Sequence, residues 1–523
     1  MLGDLARLRP ATAVAITCVL SCIAALVPIW SVVHLPLIDY PAHLARMHIL
    51  ANLAQSPALQ NIYEIHWGLL PNLAMDIVVP PLSKIIPLID AGRVYVSAIV
   101  VMWITGPLVL HHALFGRVSL WPLIAGYFAY NESLSFGLLN FSFGGGLVFF
   151  ALAAWIYGQK LPRLWLLLLS CLSASTLFFC HFIAFGAYAI AVVGYEAGQS
   201  FRRGKFLCLR PLSARWVLVL AQFVVPAVIF IFFSPSVADI VPTAAVDWGG
   251  LKGRLSAARS TVMFEWGPID YLVLFFAASV FVYAIATRRL TAEPAFLWTI
   301  GLLFVVSLAM PTGVDGPGLK HIRLPPILAV CLFAGTRWSD NAGRRAGVII
   351  FALASILLVT RVGITTDRWQ LQDARITEFR QASAKIAEGS ALFLAPSGDS
   401  RRGLWRTDLD SFYPFLHIAD YTIIDRSAFT PSVFTDRERQ PVWQTEHYWS
   451  NFGRSRPIVA WKAVRDRRST LRYLKMWPQK YDYVTVVHFG QQDMKVPAFL
   501  TILHTGSYFT IFEIDKAKVG SPD

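Results

Sequence analysis

The chain has 523 residues, 55% of them hydrophobic and 15% charged, with a formal net charge of +14. So few charges cannot coat a water-soluble protein of this length, which excludes a soluble enzyme and places the chain in a bilayer. The basic residues recur on alternate connections between apolar runs, a sidedness signal, so no nucleic-acid partner is expected.

Apolar runs able to cross a hydrocarbon core of about 30 Å occupy 11–33, 92–115, 118–131, 134–157, 164–180, 182–195, 214–233, 270–287, 294–310, 324–337 and 346–361. These predict about eleven transmembrane helices, with the short pairs around Asn131 and His181 read as re-entrant or broken helices. Arg7 and Arg9, Arg117, Lys160 with Arg163, Arg202 to Arg215, Arg288 with Arg289, and Arg337 to Arg345 share one parity and mark the cytoplasmic side. The N-terminus is then cytoplasmic, and the segments 34–90, 234–268, 311–323 and everything after Val362 lie outside. The first run carries no small-residue cleavage site and reads as an uncleaved anchor. All six cysteines fall in spans or on the cytoplasmic side, so no disulfide framework is indicated.

Beyond Val362 charges multiply and apolar runs shorten. The pattern divides the chain into a transmembrane domain, 1–361, which includes the outer loop 34–90, and a soluble extracytoplasmic α/β domain, 362–523. In the latter a helix is predicted after Thr366, with Ile376, Phe379 and Ile386 on one face. Strands are predicted at 391–395, 421–424, 457–460 and 483–488, with a hairpin at 500–514 broken at Gly506 and a helical stretch at 469–476.

The densest chemistry follows the first span: His34-Leu-Pro-Leu-Ile-Asp39-Tyr40-Pro41-Ala-His43-Leu-Ala-Arg46-Met-His48. Polar groups at or near membrane depth are costly unless they line a cavity, so this cluster is the leading site. Pro41 suits a first helical turn, which makes Tyr40 the predicted cap and puts Asp39 just before the helix. Asp39 there either complements the helix dipole or faces a substrate together with His43. Arg46, His66 and Asp76 in the same loop are further candidate substrate-binding groups. Asp39, His43 and His48 are the donors to weigh for a divalent cation; one short segment seldom supplies a complete site and no ligand motif is present, so no metal is assigned.

This layout resembles the GT-C superfamily of membrane glycosyltransferases: an apolar first helix, a long outer loop opening with an acidic residue, many further spans and an outer C-terminal domain. Gly137-Leu-Leu-Asn140-Phe-Ser-Phe-Gly144 and Ile424-Asp-Arg-Ser-Ala-Phe-Thr-Pro431-Ser-Val-Phe434 are similar to segments of uncharacterised bacterial inner-membrane proteins with this layout. The resemblance implies a polytopic GT-C-like α-helical fold and a sugar donor carried on a polyprenyl phosphate. The acceptor would be an extracytoplasmic glycan, lipid or protein. It also implies Asp39 as the carboxylate that activates the acceptor and Asp76 as a second acidic position. Where several families carry an adjacent acidic pair, this chain has Asp39-Tyr40.

Such a transfer needs a base near the acceptor, cations for the leaving phosphate and an apolar groove for the lipid. Lys320, His321 and Arg323, at the end of the loop before span 324–337, are the candidate phosphate clamp, with Arg254 and Arg259 as alternatives. Arg323 is otherwise a snorkelling anchor, and Arg254 and Arg259 sit on an amphipathic surface helix. His181, at a predicted outer turn, is a candidate cavity residue. Gly144 to Gly146 lie inside a span and read as close helix packing rather than a phosphate loop. Asp399, Arg401, Arg402 and His417 show no arrangement tied to a reaction. Two other classes compete: a transporter of a lipid-linked or envelope precursor, and a non-catalytic envelope-assembly protein. Few charges within spans and no internal repeat put transport behind transfer.

Overall fold

A computed structural model describes residues 10–203, 214–234, 246–264, 267–314, 319–339, 344–397, 413–437, 439–453, 459–466, 469, 471–489 and 495–519. Among them seven helices are long and apolar enough to cross a membrane: Ala11–Trp30, Leu88–Phe115, Leu139–Gly158, Arg163–Cys180, Arg215–Phe233, Pro268–Ala286 and Arg345–Ser383. Phe296–Ala309 and Leu324–Ala334 are shorter apolar helices, and the predicted run at 182–195 opens the 21-residue helix Phe182–Arg202. The run at 118–131 is not an α-helix. Its centre, Trp121–Ala129, is a buried 3₁₀ segment, and at about 2 Å per residue it is too short to cross a bilayer.

The chain forms two compact units. The first comprises Met1–Ile29, Leu69–Ala74 and Val96–Thr365. Its helices approach closely where side chains are small. A Cβ at Gly144 would lie 2.8 Å from that of Ala184, and Cβ atoms at Gly145 and Gly146 would come as close to Trp103 and Met102. The three glycines are therefore packing residues, as the span reading requires. Arg361, buried, donates to the carbonyls of Tyr127, Tyr130 and Val262 and to Asp270. This guanidinium ties the 3₁₀ segment to the loop before Pro268, because carbonyls in an apolar setting must find donors.

The second unit comprises Trp30–Gly68, Met75–Tyr95 and Thr366–Asp523. The boundary read at 361/362 left the outer loop with the membrane helices; the compact unit instead takes in most of that loop. Ala45, Ile49, Leu59 and Ile62 of the loop share one apolar core with Phe393, Phe429, Trp461, Trp477, Val484 and Phe512. Tyr63–Ile65 pairs antiparallel with Val442–Gln444. The strands β1 (Leu392–Pro396), β2 (Tyr483–Val487), β3 (Leu500–Thr505) and β4 (Phe509–Ile514) make a four-stranded sheet in the order β1-β2-β4-β3. β1 and β2 are parallel and the other pairs antiparallel.

Four local expectations change. The helix expected after Thr366 is the continuation of one 40-residue helix, Arg344–Ser383, with Ile376 and Phe379 buried as the pattern requires and Ile386 buried just beyond it. Tyr421–Ile424 belongs to the helix Tyr421–Arg426, stopped by Ser427 at φ 50°. Tyr421, Thr422 and Ile423 are all buried, a packing that overrides β propensity. Of the strand at 457–460, residues 457 and 458 lie outside the described residues and 459–460 are irregular; 471–476 form turns before a short helix at Trp477–Lys480.

Candidate active site

The helix Tyr40–Asn52 begins one residue earlier than the sequence suggests: Asp39 is the N-cap and Pro41 lies in the first turn. Its carboxylate makes no capping hydrogen bond. Asp39 Oδ1 instead lies 3.6 Å from Nε2 of His417, a residue sequence reasoning left without a role. On the other side of that ring, Nδ1 is 3.0 Å from Oδ2 of Asp420. A carboxylate can only accept, so the imidazole donates. Asp420 is fully buried and also accepts from the hydroxyls of Thr430 and Ser432. Both hydroxyls, and Phe434, come from the Ile424–Phe434 segment singled out in the sequence. The Phe434 ring touches both His43, at 5.1 Å, and His417, at 5.2 Å.

Burial opposes a charge on His417. The hydrogen bond and charge of Asp420, with the charge of Asp39, outweigh it and hold the pKa above the ordinary histidine value of 6.5. The cluster is thus an imidazole between two carboxylates, one sealed in the core and one partly open, with 21% of the Asp39 side chain exposed. The pattern could not be found by spacing, since 378 positions separate Asp39 from His417.

Other loop residues are committed elsewhere. Arg46 and Asp76 form a two-pronged ion pair at 2.7 and 2.9 Å, with neither side chain exposed. They neutralise one another inside the unit. His66 is on the surface, hydrogen-bonded to Glu64 and stacked on Trp443. His34 lies 2.6 Å from Asp373 through Nδ1 and 2.6 Å from Arg380 through Nε2. The guanidinium must donate, so the ring is neutral with its proton on Nδ1. Arg380 also pairs with Asp425 and lies over the Tyr421 ring.

The first unit holds His181, Arg254, Arg259, Lys320, His321 and Arg323. His181 caps the helix Phe182–Arg202, its Nδ1 accepting from Ile183 N–H at 3.0 Å. Its Nε2 is 2.6 Å from Arg323 Nη1. A neutral ring has one acceptor nitrogen, so it cannot accept from both donors. Phe141 backs both groups, 5.4 Å from the His181 ring and 5.6 Å from the Arg323 guanidinium. Arg254 donates to the carbonyls of Met310 and Trp248, bracing its own loop. Burial, then the Arg254 charge, pushes His321 below the ordinary histidine value, so that ring is neutral at neutral pH.

Among the described residues no group of three or more His, Cys, Asp or Glu side chains is placed to hold a metal ion. Asp399, Arg401 and Arg402 lie outside the described residues.

Seven long apolar helices and a compact unit built on a mixed four-stranded sheet describe a multi-pass helical membrane protein. No protein-family model matches the chain, and no curated protein matches it in sequence. Among solved structures, the chain is similar to the crystal structure of ArnT from Cupriavidus metallidurans bound to undecaprenyl phosphate, at 12% identity and a TM-score of 0.47. It is similar to ArnT from the same organism in the apo state, at 12% identity and a TM-score of 0.46. Each match covers 98% of this chain and 100% of the other.

Proposed function

We propose that the protein is a GT-C-type membrane glycosyltransferase that moves a sugar from a polyprenyl phosphate to an extracytoplasmic hydroxyl, with Asp39 as general base. The observation that carries this reading is the Asp39 carboxylate itself: it stands at a helix start without capping it, partly open, beside a buried His–Asp pair. In the reaction Asp39 takes the acceptor hydroxyl's proton as its oxygen bonds to the anomeric carbon. The bond from that carbon to the phosphate oxygen breaks, and its electron pair leaves with the lipid phosphate. Within the first unit Arg323 and His181 are the groups suited to a phosphate, because guanidinium and ring N–H donors match its oxygens. Arg46 and Asp76 serve this site as scaffold. The protein sits in a bacterial inner membrane with its N-terminus cytoplasmic and residues 362–523 outside.

The test uses the full chain in nanodiscs with a panel of undecaprenyl-phosphate-linked hexoses and pentoses and membrane-extracted acceptors. Wild type releases undecaprenyl phosphate from one donor, and Asp39→Asn does not. Equal release by the two proteins overturns the assignment of Asp39.

A further inference from the structure

We propose that His417, fixed by Asp420, is the positioning residue of Asp39: charged, it keeps the carboxylate ionised at acid pH, and neutral, it takes the carboxyl's proton between turnovers. The inference rests on Asp39 acting as the base, and it adds a residue from the far end of the chain that the loop reading does not contain.

The geometry is that of a relay with one closed end and one open end. Asp420 is fully buried, and the His417 N–H and the Thr430 and Ser432 hydroxyls all donate to its carboxylate. These partners fix the ring's orientation and commit its Nδ1 proton. The only other ring nitrogen, Nε2, is therefore the one aimed at Asp39. With a lone pair at Nε2, an ionised Asp39 3.6 Å away would face it acceptor to acceptor; a proton on either group removes the conflict, and its passage between them needs the pair to close to hydrogen-bond distance. Asp39 is ionised when the proton is on Nε2 and protonated when it is on the carboxyl.

The step balances. Asp39 accepts the acceptor's proton during transfer and passes it to Nε2 of a neutral His417. The result is an imidazolium between two carboxylates, which gives its proton to solvent. At a pH low enough for His417 to be charged beforehand, Asp39 is paired to a cation and is a weaker base. Transfer should therefore rise with pH through the histidine's titration. The groups acting on His417 are Asp420 on its own turn and Asp39 from the loop helix; Thr430 and Ser432 are uncharged, and His43 touches the same Phe434 ring.

Two readouts test this on full-length protein in nanodiscs. The first needs no substrate. A water-soluble carbodiimide with glycine ethyl ester labels protonated carboxyls, and mass spectrometry follows Asp39 between pH 4 and 8. In His417→Gln the imidazolium is gone, and Asp39 labelling should extend upward by about one pH unit or more. Asp420→Asn, which frees the ring, should move the curve the same way by less. Labelling of Asp482, which pairs with Lys516, should be unchanged in any variant that has folded. If His417→Gln fails that control, His417→Asn decides, and Asp39 labelling should extend upward in it likewise. Superimposable curves for wild type and the folded variant overturn the proposal.

The second readout is the pH profile of undecaprenyl phosphate release. The wild-type rise through the titration of His417 should be absent in His417→Gln, whereas a merely structural role would lower the rate at every pH alike. A shifted labelling curve together with unimpaired release by Asp39→Asn would support the His417–Asp39 coupling and overturn the assignment of Asp39 as base.

Discussion

His417 and His181 are both buried or half-buried rings set against a charged side chain, yet their surroundings complete them in opposite ways. Around His417 the charges are negative, and each ring nitrogen has a carboxylate to which it can give a proton. Around His181 the neighbours are donors, a guanidinium and a backbone N–H, and one ring cannot accept from both. The first arrangement surrounds a ring with acceptors and the second surrounds one with donors, and each lies within its own unit.

The sharpest way to break that contrast is at Asp39. Asp39→Asn should cost roughly a hundredfold or more in transfer. Because the side chain is partly open, its effect on stability should be near or below about 1 kcal/mol. A thermal melt and a release assay on the same preparation check both, and a large fall in melting temperature would recast Asp39 as structural.

The same unit holds a charge pair expected to behave in reverse. Removing one partner of the sealed pair Arg46–Asp76 should destabilise by about 3–5 kcal/mol, since it leaves a buried charge uncompensated. The double replacement Arg46→Met with Asp76→Leu should recover most of that loss. Chemical denaturation of the single and double variants measures it. A single variant as stable as wild type but unable to bind donor would instead return Arg46 to the substrate.

Gly92→Ala probes how the loop helix is seated. The Tyr40 hydroxyl lies 2.3 Å from where a Cβ at position 92 would be, so alanine should overpack the contact by about 1–3 kcal/mol. Tyr40 is next to Asp39, and Asp39 labelling should change with it; an unaltered melt and labelling pattern would show that the helix start adjusts freely.

On the anion side, Arg323→Lys should weaken undecaprenyl phosphate binding about tenfold despite keeping the charge, because lysine lacks the planar fork. Equal affinities would leave Arg323 as an interfacial anchor.

The smallest expected effect is on stability against pH. His417 has its folded pKa raised above the unfolded value, so its charge stabilises the protein fully below about pH 6.5 and progressively less as pH rises through the folded value. The pH-dependent part of the advantage of wild type over His417→Gln should be present near pH 6 and lost at alkaline pH. Melts of both proteins from pH 5.5 to 9 report it. An advantage that grows with pH would mean that the ring is held neutral.

Membrane class, the positions of most spans and the sheet strands at 391–395, 483–488 and 500–514 were legible in the sequence, because apolar run length and alternation are local properties. So was the packing role of Gly144 to Gly146. What the sequence could not determine were partnerships across hundreds of residues. Arg46 looked like a substrate ligand until Asp76 was found to close on it, and His417 looked idle until the fold set it between Asp39 and Asp420. The strand propensity of Tyr421 to Ile424 gave way to a helix whose residues the core buries on several sides. Charge and hydropathy act along the chain and can be read from it, whereas the setting of His417 between two carboxylates, at 3.0 and 3.6 Å, is fixed only by tertiary packing.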